Sequence, residues 1–291
     1  MNRLETFNHY RPLLFSIAYR MLGSAMDAED MLQETYLRWE QVAGDEVQSP
    51  KAYLSSIITR LCIDQLRSAR VHREVYLGPW LPEPLITGDS SGVAEMAALT
   101  DSLSMAFLIL LEKLSPVERA VFLLREVFDY QYGEIAAIVD KSEANCRQMV
   151  KRAKAHIAAG RPRFDVSPAE QEQLTLQFTQ ACATGDMHGL LDILAEDITL
   201  WSDGGGKVAA AQRPIHGPDR VARFLLGILR QAPPGFVSHF ATVNGQPGFI
   251  AYMDGWPFSV LTLELGAGRI QAIRIVVNPD KLRSIPPLGQ T

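Results

Sequence analysis

The stretch Ser142-Glu143-Ala144-Asn145-Cys146-Arg147-Gln148-Met149-Val150-Lys151-Arg152-Ala153-Lys154 restricts this chain more than any other. On a helix, Cys146, Met149, Val150, Ala153 and Ile157 recur three and four apart and form one apolar stripe that has to dock on neighbouring helices. Asn145, Gln148, Lys151 and Arg152 point elsewhere, with Arg147 on a flank. Asn and Gln can pair bidentately with adenine, and Arg or Lys with guanine, in a major groove. Lys154 and His156 come later and suit phosphate. Upstream, Ser115-Pro116-Val117-Glu118 supplies a capping Ser, a Pro at the first helical position and a Glu that completes a capping box, which predicts a helix through Phe128. Tyr132–Val139 then reads as a short helix, with Asp140-Lys141 as the break before a second start at Ser142. Two short helices joined by a tight turn, the second one basic, make a helix-turn-helix.

Charge supports this reading through its distribution. The formal net charge is -5, which argues against a protein that simply coats nucleic acid. Between Ser142 and Arg163, however, Arg147, Lys151, Arg152, Lys154, Arg161 and Arg163 face only Glu143. Basic charge confined to one segment of an acidic chain is the footprint of a local DNA contact.

The length of 291 residues suits two or three modules. Residues 1–73 are expected to form an all-helical domain, with helical periodicity in Phe7–Leu22, Ala28–Trp39 and Pro50–Ser68. Residues 74–100 hold Gly78, Pro79, Pro82, Pro84 and the Gly88–Gly92 stretch, and read as an extended linker. Within it, the Trp of Trp80-Leu81-Pro82-Glu83-Pro84 is expected to pack on a surface. Residues 101–160 form the helix-turn-helix domain and 161–167 a short linker. Residues 168–291 change character. Helices at Ala169–Ala183, Met187–Leu194 and Pro218–Leu229 precede alternating strands at Val260–Leu265 and Ala272–Val277, which predicts an α+β domain with one curved antiparallel sheet.

Cys62, Cys146 and Cys182 form neither a CxxC pair nor an even-numbered framework, so a reducing compartment and no cysteine-based metal site are expected. There is no secretory-type leader and no 18-residue apolar span, which predicts a cytoplasmic protein. No cofactor is expected.

Two further helices of the first domain carry chemistry. Asp27, Glu29, Asp30, Glu34 and Glu40 make one acidic and amphipathic, with Leu32, Tyr36 and Trp39 on a stripe; this is either a solvated helix or a surface for a basic partner. The next stretch places Lys51, Arg60, Arg67, Arg70 and Arg73 near Tyr53, the mixture that melted or single-stranded nucleic acid requires. Tyr53 reads equally well as a core residue.

These segments resemble the sigma-70 superfamily. Asp27-Ala28-Glu29-Asp30-Met31-Leu32-Gln33-Glu34-Thr35-Tyr36-Leu37-Arg38-Trp39 looks like its second-region helix, which grips the β′ clamp of core RNA polymerase. The resemblance therefore implies core binding by Asp27, Glu29, Asp30, Gln33, Glu34, Leu37 and Arg38. Pro50–Arg70 is similar to the part that melts and reads the -10 element, implicating Tyr53, Arg60, Arg67 and Arg70. Leu114–Ile157 is similar to the fourth region, which reads the -35 element and packs on the β flap, implicating Asn145, Arg147, Gln148, Lys151 and Arg152. Met149 stands where a basic residue is common. With only these two regions, the chain resembles the extracytoplasmic-function class.

The resemblance extends to a subgroup with a C-terminal SnoaL-like domain, matched by Trp80–Pro84, Asp203-Gly204-Gly205-Gly206-Lys207 and Asn278-Pro279-Asp280-Lys281-Leu282. In that subgroup the extension modulates sigma activity through contacts with the core domains. The expected regulatory contacts are Trp80, Pro82, Pro84, Asp203, Gly204, Gly205, Gly206, Lys207, Asn278, Pro279, Asp280 and Lys281. By residue type alone, Gly204–Gly206 fits a tight hairpin or a backbone that something approaches closely, and Asn278-Pro279-Asp280 a turn that puts Asp280 and Lys281 on a surface. Asp203 is expected in a turn.

The predicted function is that of an alternative sigma factor modulated by its C-terminal domain, with core polymerase and promoter DNA as partners and without catalysis of its own. One alternative is a stand-alone helix-turn-helix regulator whose last domain senses a small ligand. Another is an isomerase- or cyclase-like last domain using Asp203, His216, His239 and Tyr252.

Overall fold

The computed structural model describes residues 2–42, 47–73, 76–87, 103–160 and 166–289, without the side chains of 69–73, 159, 160 and 168. The Arg70 and Arg73 side chains, Arg161, Arg163 and the Gly88–Gly92 stretch thus lie outside the described residues. The chain divides into two compact units, Met1–Val75 with Ser90–Arg161, and Tyr76–Asp89 with Pro162–Thr291.

The first unit is helical: α1 (Arg3–Leu22), α2 (Ala25–Glu40), α3 (Pro50–Arg73), α4 (Met105–Leu111), α5 (Pro116–Glu126), α6 (Tyr132–Val139) and α7 (Glu143–Gly160). Its boundaries are set locally. Asn2 and Glu5 form a capping box on α1, Gly23 ends that helix in the left-handed region, and Ser24 caps α2. The box on α5 is the expected Ser115–Glu118 pair, and its hydrogen bonds to Ser115 hold the Glu118 carboxyl below its ordinary pKa. Asp140, at φ 53°, makes the turn between α6 and α7. Leu14, Ile17, Met21, Leu32, Leu54 and Ile58 are fully buried among α1, α2 and α3.

The two helical groups also pack on each other, with α3 against α5 and α6, and α1 against α5. Polar links cross that junction. Arg119 of α5 is buried and donates to the Met21 carbonyl at the end of α1 (2.6 Å) and to Glu112 (2.7 Å). A guanidinium suits the partial negative charge at a helix C-terminus, although burial lowers its pKa to about 10. The Ser55 and Tyr130 hydroxyls meet at 2.6 Å in a buried setting.

The second unit opens with the chain segment 76–87. It continues with α8 (Pro168–Thr184), α9 (Met187–Ile193), β1 (Leu194–Asp203), β2 (Ile215–His216) and α10 (Pro218–Arg230). Strands β3 (Phe236–Val243), β4 (Gln246–Met253), β5 (Trp256–Gly266) and β6 (Arg269–Val276) follow, then a 3-10 turn at Pro279–Leu282. The sheet order is β2-β1-β6-β5-β4-β3. It is antiparallel except for β1 and β6, which run parallel. Asn244-Gly245, Asp254-Gly255 and Ala267-Gly268 all have positive φ and close the three hairpins between β3 and β6. Irregularities at Ala251/Tyr252 and Glu264/Leu265 are the kind that bend a sheet. One face packs on α8, α9 and α10 through Leu200, Leu263, Ile273, Phe178, Val221 and Leu225. This is the expected α+β class.

Candidate functional site

The α7 helix divides as its periodicity predicts. Cys146, Val150, Ala153 and Ile157 are buried, while Arg147, Gln148, Lys151 and Arg152 are exposed and Asn145 is half-buried. The Ser142 hydroxyl accepts from the Asn145 amide and so starts the helix. Arg147 pairs with Glu143 at 2.7 Å and lies 4.8 Å from the Tyr132 ring centroid. Arg152 and Lys154 reach back to Glu118 (3.3 Å) and Glu126 (2.6 Å) of α5. Surface pairs of this kind are weak and give way readily to a polyanion.

On α2, Leu32 and Trp39 are buried, and Asp30, Gln33, Leu37 and Arg38 are exposed. Asp27, Glu29 and Glu34 are half-exposed beside them, Glu29 paired with Arg11 (2.7 Å) and Glu34 with Arg38 (2.8 Å). An exposed Leu37 at 54% within an acidic face offers an apolar anchor ringed by charge.

On α3, Tyr53 is exposed and packs its ring against Trp39 at 5.9 Å, so it is surface and core at once. Arg67 is exposed beside Asp64 (3.3 Å). Arg60 is also exposed, yet it donates to the carbonyls of Ile138 (2.8 Å) and Ala137 (2.9 Å) at the end of α6. The sequence gives no hint of that contact.

The three motifs of the second unit converge. Asp203 is the last residue of β1 rather than part of a turn, and it is fully buried. Its carboxylate accepts from the Tyr76 hydroxyl (2.5 Å), the Leu81 amide (2.8 Å), the Lys281 ammonium (2.8 Å) and the Gly205 amide (3.0 Å). Lys281 turns inward instead of lying on a surface, because the carboxylate and two rings form its socket. It sits 4.3 Å from the Trp80 centroid and 5.2 Å from that of Tyr76, and it also donates to the Leu81 carbonyl. Burial, then the hydrogen bond to Asp203, raises the Tyr76 pKa and keeps it a neutral donor. Asn278 donates to the Tyr76 hydroxyl (3.0 Å) and accepts from the Asp280 amide (3.1 Å). Lys207 pairs with Asp280, which Arg283 also reaches.

The glycines are needed for close approach. A Cβ on Gly205 would stand 2.3 Å from the Asn278 amide, and one on Gly206 would stand 2.9 Å from the Leu77 side chain. Leu81, Pro82, Glu83 and Pro84 are all buried. Further along, Ile86 bridges Val243 on the free edge of β3, with Asn244 donating to Leu85 and Thr87 to Thr242, each at 2.8 Å. Sequence reasoning missed Tyr76, Thr87, Asn244 and Ser284, which donates to Glu83 at 2.9 Å. Only Asn244-Gly245 carried a signal, as a hairpin dipeptide.

Sigma-70 region 2 matches residues 6–71, and Sigma-70, region 4 matches residues 104–157. The ECF RNA polymerase sigma factor SigJ of Mycobacterium tuberculosis is 34% identical over 298 residues, which cover 97% of this chain and 94% of SigJ. The chain belongs to the ECF RNA polymerase sigma factors.

A second ECF relative from Mycobacterium tuberculosis, the probable sigma factor SigI, is 32% identical over 94% of this chain and 92% of its own length. The crystal structure of the SigJ protein superposes with a TM-score of 0.78 at 31% identity, over 96% of this chain and 97% of that one. The protein is thus an alternative sigma factor, with regions 2 and 4 in the first unit and an α+β domain after them. The residues weighed for catalysis are spread over β1, β2, β3 and β4. Asp203 is taken up by the linker, and His216 is exposed with its Nδ1 3.1 Å from the Thr199 hydroxyl. His239 and Tyr252 meet ring to ring at 5.8 Å on β3 and β4. Among the described residues, no helix is long and apolar enough to cross a membrane.

Proposed function

We propose that this ECF sigma factor is controlled by its own C-terminal domain, which holds the chain between regions 2 and 4. The observation that carries this reading is the Asp203 carboxylate, buried in the third domain yet hydrogen-bonded to linker residues Tyr76 and Leu81. Regions 2 and 4 must each find their own promoter element, so a domain that fixes the connecting chain alters which arrangements they can adopt. In this reading Asp27, Glu29, Asp30, Gln33, Glu34, Leu37 and Arg38 meet core polymerase. Tyr53, Arg60, Arg67 and Arg70 meet the -10 element, and Asn145, Arg147, Gln148, Lys151 and Arg152 the -35 element. The motif residues from Trp80 to Pro84, Asp203 to Lys207 and Asn278 to Lys281 are regulatory, the last domain is non-catalytic, and the protein acts in the cytoplasm beside core polymerase.

Run-off transcription with core polymerase and a cognate promoter tests the reading. The full chain is compared with Asp203→Ala and with a chain ending near Arg163. Both altered forms are expected to shift promoter-specific RNA in the same direction. An Asp203→Ala protein that transcribes like the unaltered chain would sink the linker as the route of control.

A further inference from the structure

We propose that the carboxyl end of α6 occupies the -10-reading surface of region 2 as an intramolecular stand-in for the DNA backbone, with Arg60 as the shared ligand. This rests on the reading of α3 as the -10 helix. The last carbonyls of a helix carry partial negative charge and lack intrahelical partners. Two of them, from Ala137 and Ile138, take the Arg60 donors that a phosphate would otherwise take. Glu134, Ala137 and Ile138 of α6 face Gln48, Ser49, Ala52, Tyr53 and Ser56 across a cleft of about 640 Å³. The Glu134 carboxylate thus shares the cleft with Tyr53, and the helix end meets Arg60, both assigned to melted DNA. Close by, Tyr130 bonds Ser55 at 2.6 Å and lies under Lys51 at 5.1 Å, so a second basic residue of the same surface is engaged from region 4.

Size alone requires this contact to open. A compact unit of about 150 residues has a radius of gyration near 15 Å and spans roughly 40 Å. Elements centred at -35 and -10 lie about 25 base pairs apart, roughly 85 Å along B-form DNA. Regions 2 and 4 packed as one unit cannot reach both. Opening for the promoter and freeing Arg60 for it are then one event. Anything that loosens α6 from α3 raises affinity for single strands.

The test is a mutant cycle on the full chain, read by fluorescence anisotropy with a labelled mixed-sequence single strand of about 20 nucleotides. Tyr130→Phe leaves the Ser55 hydroxyl unpaired in the closed form but hydrated in the open one, and is expected to tighten binding about fivefold. Ser55→Ala acts from the other side in the same direction. The double variant removes both polar groups and returns affinity toward the unaltered value, a pattern that general destabilisation would not produce. Arg60→Ala in the Tyr130→Phe background is expected to weaken binding several-fold. Unchanged affinity in both single variants, with Arg60→Ala still weakening binding, would overturn the stand-in and leave the -10 reading intact. An Arg60→Ala change without effect in the opened background would remove the -10 reading and the proposal with it.

Discussion

Asp203 and Arg60 each anchor a distant segment of chain, and they are constructed in opposite ways. Asp203 is fully buried and gathers a lysine, a tyrosine hydroxyl and two backbone amides. Arg60 is exposed and rests on two neutral carbonyls. A buried carboxylate that loses its partners leaves charge stranded away from water, at a cost of several kcal/mol. An exposed guanidinium that leaves a helix end loses about 1 kcal/mol and is rehydrated at once. The linker's hold on the sheet is therefore permanent on the scale of protein stability, and the hold of α6 on α3 can be released by a competing anion. The Asp203 site is the firmer hold, and the hydrogen bonds of Arg60 to α6 are the weaker one.

The sharpest way to break that contrast is Asp203→Ala. It leaves Lys281, with a side chain 13% exposed, without its carboxylate and frees the Tyr76 hydroxyl and the Leu81 amide. The expected loss is about 3–5 kcal/mol in the second unit, read as a lower temperature for its unfolding transition in calorimetry of the full chain. A loss near that of an exposed hydrogen bond would erase the distinction between the two holds.

Gly205→Ala should follow. Gly205 has φ 60°, where a Cβ costs about 1–2 kcal/mol. That Cβ would also collide with Asn278, the residue that donates to Tyr76. Proteolysis of the full chain near Tyr76 should then accelerate. Unaltered cleavage would mean that Asn278 can step aside without loosening the linker.

These anchors were unequally legible in the sequence. The Ser115 capping box and the stripe from Cys146 to Ile157 are local, and the fold obeys them. Strands β5 and β6 form where expected, but their alternation does not decide burial: Thr262, Glu264 and Arg274 are buried along with Leu263 and Ile273, Glu264 and Arg274 as an ion pair. Asp203 stands out as part of a motif, but its residue type beside three glycines reads as a turn. Its burial comes from Tyr76, Leu81 and Lys281, between 78 and 127 residues away, and no short window contains such a contact. Lys281 was expected outside for the same reason, since a lysine after a turn is normally solvated unless a buried acid waits for it. Arg60 was legible as a basic residue on an aromatic helix. Its partners are backbone carbonyls, which every residue possesses, so nothing in the sequence marks Ala137 or Ile138 as their bearers.

The smallest expected effect probes the rim of the Asp203 site. Asp280 has its pKa lowered first by the hydrogen bond from Lys207, with Arg283 adding to it. Its folded value is below the ordinary 3.8, so the unfolded chain takes up the proton first. The contribution is therefore fully present above the unfolded value and is lost as pH falls through the folded one. Asp280 is exposed, and solvent screening keeps the effect well under about 1 kcal/mol. The difference in unfolding temperature between the unaltered chain and Lys207→Met should be visible above about pH 5 and vanish near pH 2, and salt should shrink it throughout. A difference that persists undiminished at pH 2 would mean that Lys207 acts by packing its stem against the glycine turn. The rim would then belong to the site's apolar contacts and not to its charge.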